Sequence, residues 1–181
     1  MQHVMLDLET LGTSNKAVVL SIGAVKFDPY DSKLGNTFYV ELTDDLKTQQ
    51  AVGRTIDTST VLWWMQQSAQ ARQIFSDPPA KDVIRATTVS ALLQFRDFIN
   101  DPETCLWGNG VDFDNAILAD LYRDMSLPAP WSFRFNRCFR TMRGMFPGHE
   151  SARDGVHHNA LDDAIYQAKL LQEIMTCIGR E

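Results

Sequence analysis

The stretch from His3 to Leu42 constrains the fold more than any other part of the chain. His3 to Glu9 is a short apolar run that ends in acids. Val18 to Phe27 is rich in Val, Ile and Gly, and Thr37 to Leu42 alternates as a half-buried strand does. Between the last two, Asp28-Pro29-Tyr30-Asp31-Ser32 carries turn chemistry. Strands this close together predict consecutive antiparallel pairing. Helical periodicity then takes over. Thr60 to Phe75 and Thr88 to Ile99 read as amphipathic helices. Thr104 to Trp107 is a brief strand broken by Gly108-Asn109-Gly110. Asp112 to Met125 reads as a helix, Phe133 to Phe139 as the last strand, and His158 to Ile178 as a long closing helix. Strands first, then alternating helices and strands, predict an α/β fold with a mixed sheet covered by helices.

A chain of 181 residues, 44% hydrophobic and 22% charged, suits a single domain over 1–181 with one sizeable core. Its formal net charge of −6 argues against a general nucleic-acid coat protein. A nuclease stays allowed, because bound divalent ions reverse the local sign of a carboxylate cluster. Cys105, Cys138 and Cys177 form no CxxC pair, which predicts idle thiols in a reducing, cytoplasmic setting. Asp7 and Glu9 interrupt the apolar start, so no leader peptide is expected, and no stretch approaches the ~20 apolar residues of a membrane helix.

The candidate chemistry lies in acids at element ends. On a strand, Asp7 and Glu9 point to one face while Leu8 points to the other. Two like charges side by side call for a cation, and Mg²⁺ or Mn²⁺ prefer oxygen ligands. A solvated surface pair is the plainer alternative. Asp112 is placed to cap a helix, with Asp114 in the first turn; both acids can instead serve only the helix start. In the closing helix Asn159 is the expected N-cap, with Asp162 three residues on in a capping-box-like start. A wheel at 100° per residue puts Asp163 beside the apolar arc of Leu161, Ala164, Ile165, Ala168, Leu171 and Met175. Asp162 falls with Lys169 and Glu173 on the solvent side, so Asp163 is the expected functional acid. His158 precedes the helix on a loop, free to approach a reacting water. Four carboxylates and one histidine are what two-metal phosphodiester hydrolysis needs, with ions ~3.5–4 Å apart.

Asp7-x-Glu9, Phe113-Asp114 and His158-x-x-x-x-Asp163 resemble, in order and context, the three motifs of the DEDDh exonucleases of the DnaQ-like superfamily. The resemblance runs from Met5 to about Leu171. It implies a ribonuclease-H-like fold with a five-stranded mixed sheet, two Mg²⁺ or Mn²⁺ ions, and 3′→5′ release of 5′-mononucleotides. It makes Asp7, Glu9, Asp114 and Asp163 metal ligands and His158 the general base. Val61 to Arg72, with its double Trp, is similar to a small stand-alone branch that includes exoribonucleases and relatives of exodeoxyribonuclease VIII. Homodimers are common among such relatives.

In this family the residues after the first acidic pair often touch the terminal nucleotide; here they are Thr10, Leu11 and Gly12, which also read as a plain strand-ending turn. Trp64 groups with Val61, Leu62, Met65 and Phe75 on the apolar arc, while Trp63 lies opposite among Gln66, Gln67 and Gln70. Trp63 is thus a candidate for stacking a base, or lies half-buried against a neighbour. Arg134, Arg137, Arg140 and Arg143 recur every three residues; Arg140 is taken as a candidate phosphate contact, and a solvated charged face is the alternative. The expected partner is the 3′ end of single-stranded DNA or RNA, since an exonuclease must thread one unpaired end.

Rival readings remain. Asp7-Leu8-Glu9-Thr10 faintly resembles the DxDxT of haloacid-dehalogenase phosphatases, but Glu9 departs from it and His158 finds no role there. A domain that kept the fold as a silent nucleic-acid scaffold is the non-enzymatic alternative. A proofreading role would need a polymerase partner.

Overall fold

The computed structural model describes residues 1–149, 151 and 153–178. In chain order they form β1 (His3–Thr10), β2 (Val19–Phe27), β3 (Leu34–Glu41), α1 (Leu46–Ala51), α2 (Thr58–Met65), α3 (Thr88–Ile99), β4 (Cys105–Gly108), α4 (Ala116–Asp124), β5 (Asn136–Cys138), α5 (Phe139–Met145) and α6 (Ala160–Ile178). The sheet order is β3-β2-β1-β4-β5. β1 pairs antiparallel with β2, and β2 with β3, as the early strand run predicts. β4 joins β1 in parallel, and β5 joins β4 in parallel, each after a helical crossover. The mixed five-stranded sheet is therefore present.

β1 is central, so both its faces are covered and its sequence reads as a nearly continuous apolar run. Val4, Leu6 and Leu8 pack on one side with Leu92 and Phe95 of α3 and Ile117 and Leu121 of α4. Met5 packs on the other side with Phe139 of α5 and Ala164, Ala168 and Leu171 of α6. Alternation along the strand then sends Asp7 and Glu9 toward the α6 side. The β1–β2 ladder shifts register between Glu9 and Thr10, a bulge that ends the pairing beside the acids.

Two glycines set how closely other elements approach this strand. Gly23 lies opposite Asp7, and a Cβ there would overlap the backbone of Ala160 and Leu161. Only glycine lets the start of α6 rest on the sheet at that point. At Gly108 a Cβ would run into the Asn115 side chain and stand 3.0 Å from Asp114 Cβ, so this glycine lets the Asp114 turn fold back on β4.

Several expected elements differ. The helix expected over Thr60 to Phe75 is broken: α2 ends at Met65 and a 3₁₀ turn covers Ala71–Phe75. Ser68 Oγ accepts from Ala71 N at 3.1 Å and starts the second piece, a local bond that competes with helix continuation. The break leaves Leu62, Met65 and Phe75 exposed rather than in a buried arc, while Trp64 stays 2% exposed. The expected last strand shrinks to Asn136–Cys138, because Ser132 caps a 3₁₀ turn at Phe133–Phe135 and Phe139 already begins α5. The four arginines thus sit on a turn, a strand and the two ends of α5, and form no continuous stripe. Asp112 is exposed and makes no capping bond; the turn at Val111–Asn115 is closed instead by Phe113 N donating to Gly110 O at 2.9 Å. Among the described residues, no helix is long and apolar enough to cross a membrane.

Candidate active site

A cavity of about 540 Å³ opens where the C-terminal half of β1 meets the start of α6. Asp7, Glu9, Asp163, His158 and Trp63 all line it, together with Thr10 and Gly12. Each is placed by a specific local cause. Asn159 Oδ1 accepts from Leu161 N and Asp162 N at 3.1 and 3.2 Å, which caps α6 as expected. Asp162 Oδ2 then accepts from Val156 N at 2.7 Å and ties down the preceding loop. Asp163, one residue on, turns inward, is 7% exposed, and its Oδ2 accepts from His158 N at 3.0 Å. His158 itself has φ +65°, a left-handed conformation that brings its ring over the site.

Asp114 lies deeper. It is 2% exposed, and its carboxylate accepts from Leu8 N at 3.2 Å and Asn109 N at 2.9 Å. It is not a wall of the cavity, yet its charge is felt by both Asp7 and Glu9. Trp64 Nε1 donates to Thr10 O at 2.9 Å, and Thr10 Oγ1 donates to Gly12 O at 2.7 Å, so the turn after β1 is pinned from two sides. Trp63, 41% exposed, stands edge-on to the His158 ring with centroids 4.7 Å apart.

Two expected substrate contacts fall elsewhere. Leu11 is 6% exposed and packs with Val18, Leu20 and Trp64, away from the cavity, because the turn points it back under the sheet. Arg140 is exposed beside Gly110 and reaches the site only through its charge, which lowers the pKa of Asp114; Arg143, a turn further along α5, is the arginine of that series that lines the cavity.

The structure also brings in residues that sequence reasoning passed over. Gln167 is 5% exposed, lines the cavity, and donates from Nε2 to Asp7 Oδ1 at 2.7 Å. It stands four residues after Asp163, one helical turn along the same face, and that spacing was the available signal. Arg153 stacks over Tyr166 at 4.6 Å and forms an ion pair with Asp163, in contact with Oδ1 though outside hydrogen-bond geometry. His157 lies against His158, with ring centroids 3.8 Å apart.

Electrostatically the site is an acid cluster without enough positive charge. Burial, then the charges of Asp114 and Glu9, holds Asp7 well above the usual carboxylate range, against the pull of Gln167 and Arg153. Glu9 is pushed up to about 8 by burial and by Asp114. Burial pushes Asp114 up to about 7, against its backbone hydrogen bonds. His158 goes the other way, down to about 4, through burial and then the charges of His157 and Arg153. A divalent cation would relieve the crowded acids, and the donor set fits one. Asp7, Glu9 and Asp163 can each offer an oxygen, all within 4.8 Å of one another. An all-oxygen set of this kind suits a hard ion such as Mg²⁺ or Mn²⁺.

The chain is 34% identical over 132 residues to an exodeoxyribonuclease of Enterobacteria phage T4. That match takes in 67% of this chain and 56% of the phage protein, so the chain spans little more than half of that relative's length. E. coli Exonuclease I in complex with a dT13 oligonucleotide superposes with a TM-score of 0.63 at 15% identity, over 99% of this chain and 42% of that one. An Exonuclease I in its apo form gives 0.58 at 16% identity, over 98% and 42%. At such identities the likeness is one of fold, the ribonuclease-H-like arrangement of the five-stranded mixed sheet. A family model matches residues 2–175, and by that match the chain belongs to the 3′-5′ exoribonuclease Rv2179c-like domain family.

Proposed function

We propose that residues 1–181 act as one metal-dependent 3′→5′ exonuclease domain, which hydrolyses the terminal phosphodiester of single-stranded nucleic acid and releases 5′-mononucleotides. The observation that carries this reading is the convergence of Asp7, Glu9, Asp163 and His158 on one cavity. The family match and the phage relative support the reaction class.

Asp7, Glu9 and Asp163 are the residues that would hold the first ion, with Asp114 behind them as the fourth acid. Two such ions, when bound, supply an activated water and stabilise the leaving oxygen. The chain's own groups do the rest. His158, held neutral by its surroundings, accepts the proton of the attacking water at an imidazole nitrogen. Gln167 fixes the rotamer of Asp7 through its 2.7 Å hydrogen bond. Trp63 offers a ring face at the mouth against which the terminal base can stack. Arg143 and Arg153, both on the cavity wall, provide the positive charge that a scissile phosphate meets.

The test uses 5′-labelled single-stranded RNA and DNA oligonucleotides with Mg²⁺, Mn²⁺ or EDTA, beside Asp7→Asn. The expected result is a ladder that shortens from the 3′ end by single nucleotides, requires metal, and disappears in Asp7→Asn. The two polymers then report the preferred sugar. Binding of the oligonucleotides without cleavage, with metal demonstrably held, would replace the enzyme by a silent scaffold.

A further inference from the structure

The nitrogens of His157 and His158 and a carboxylate oxygen of Asp163 all lie within 4.8 Å of one another. This cluster shares only Asp163 with the all-oxygen set of Asp7, Glu9 and Asp163. Adjacent residues normally send their side chains apart, in strand and helix alike. Here the left-handed φ of +65° at His158 folds the backbone so that both imidazoles fall on the same side, with ring centroids 3.8 Å apart. Both rings line the catalytic cavity, open to an ion arriving from solvent. The Arg153 guanidinium pairs with Asp163 there, and a metal ion at these three residues takes its place.

We propose that His157, His158 and Asp163 form a second, inhibitory metal site, which takes a transition-metal cation of the Zn²⁺ type and withholds His158 from the reaction. Two imidazoles and a carboxylate are a donor set for zinc, with an open position left for water. Mg²⁺ prefers the oxygen-only site next to it. Affinity along the divalent series further favours Zn²⁺ over Mn²⁺ at nitrogen ligands. A zinc ion here uses the lone pair with which His158 would take a proton, displaces Arg153 from Asp163, and draws on the carboxylate that the catalytic ions need. The inhibitory part of this inference rests on the role proposed above for His158; the binding part does not.

The two parts are tested separately. Zinc binding is measured by calorimetry, and Co²⁺ binding by its visible absorption, on Asp7→Asn protein, whose oxygen site is impaired and which need not be active. The expected result is one ion per chain, with the cobalt spectrum of a nitrogen-ligated ion. Adding His157→Ala in that background should weaken binding by more than the roughly 10–100-fold that loss of an outer hydrogen-bond partner costs. A cooperative thermal transition no lower than that of the wild type shows that both variants are folded. No zinc bound to Asp7→Asn, or equal binding with and without His157, overturns the site. For the inhibitory part, Mn²⁺-supported cleavage is titrated with Zn²⁺, each protein being scaled to its own zinc-free rate. His157→Ala should need more than ~10–100-fold more zinc for half-inhibition, since losing a ligand costs more than losing an outer partner. Histidine-dependent zinc binding without inhibition of the wild type would keep the site and refute its effect on His158.

Discussion

Replacing Glu9 by Gln should make the metal-free protein more stable at pH 8 while destroying its activity. The side chain keeps its shape and loses only its charge. In the fold Glu9 titrates at about 8 rather than at its ordinary 4.5, chiefly through burial. Between those values the folded state holds a proton that the unfolded chain has released. Wild-type stability therefore falls as pH rises through this window. At ~1.4 kcal/mol per pH unit, the penalty reaches at most about 4 kcal/mol at pH 8 and stays under about 1 kcal/mol at pH 5. Asp7 and Asp114 sit in the same field and share protons with Glu9, so removing one charge also eases the other two. For a chain of this size ~1 kcal/mol moves Tm by about 2–4 °C. The assay is thermal unfolding in EDTA at pH 5 and pH 8, wild type beside Glu9→Gln. A constant cost of burying the amide cancels when the two pH values are compared. The Tm difference, variant minus wild type, should grow by ~5 °C or more from pH 5 to pH 8. Saturating Mn²⁺ should shrink or reverse it, since the wild type binds the ion more tightly. A difference that stays flat with pH in EDTA would refute the claim that the acid cluster is crowded and short of positive charge.

Other substitutions test the geometry. Asp163→Ala should cost more than the ~100-fold in turnover attributable to an outer partner, whereas Asp162→Ala should lose only a capping contribution of ~0.5–2 kcal/mol and cleave nearly normally; the reverse pattern in the oligonucleotide assay would exchange the two roles. Trp63→Ala should raise KM for oligonucleotides by the equivalent of ~1–3 kcal/mol with little change in kcat, and Trp63→Phe should recover most of it. Gln167→Ala should raise the Mn²⁺ concentration for half-maximal rate by ~10–100-fold without lowering Tm in EDTA. Equal metal dependence in that variant would show that Asp7 holds its rotamer unaided. Gly23→Ala should reduce activity and stability together, because the added methyl pushes the first turn of α6 off the sheet; a fully active variant would mean that the helix start is free to shift.

What the chain reveals before folding depends on the range over which each cause acts. The period of two along β1 is local, and it sufficed to put Asp7 and Glu9 on the face opposite Leu8. The helical period is local too, and it separated Asp163 from Asp162: Asp163 is buried at the cavity, and Asp162 bonds the loop. Where a single polar side chain outcompetes the period, the same reasoning failed. Ser68 restarts the backbone in the middle of the expected Thr60–Phe75 helix, and Ser132 takes the first half of the expected last strand into a 3₁₀ turn. Other features had no local signal. Gly23 matters only because β2 registers it opposite Asp7, under the start of a helix that begins well over a hundred residues later. Arg153 enters from a loop whose course is set by Val156 N bonding Asp162. The directions of Asp7, Glu9 and Asp163 could thus be read from periodicity, and Gln167 shares the helical face of Asp163, while Arg153 had no such signal. Asp7, Glu9 and Asp163 sit near the ends of regular elements, where spacing fixes direction, whereas Arg153 reaches Asp163 from the segment before α6, where no period applies.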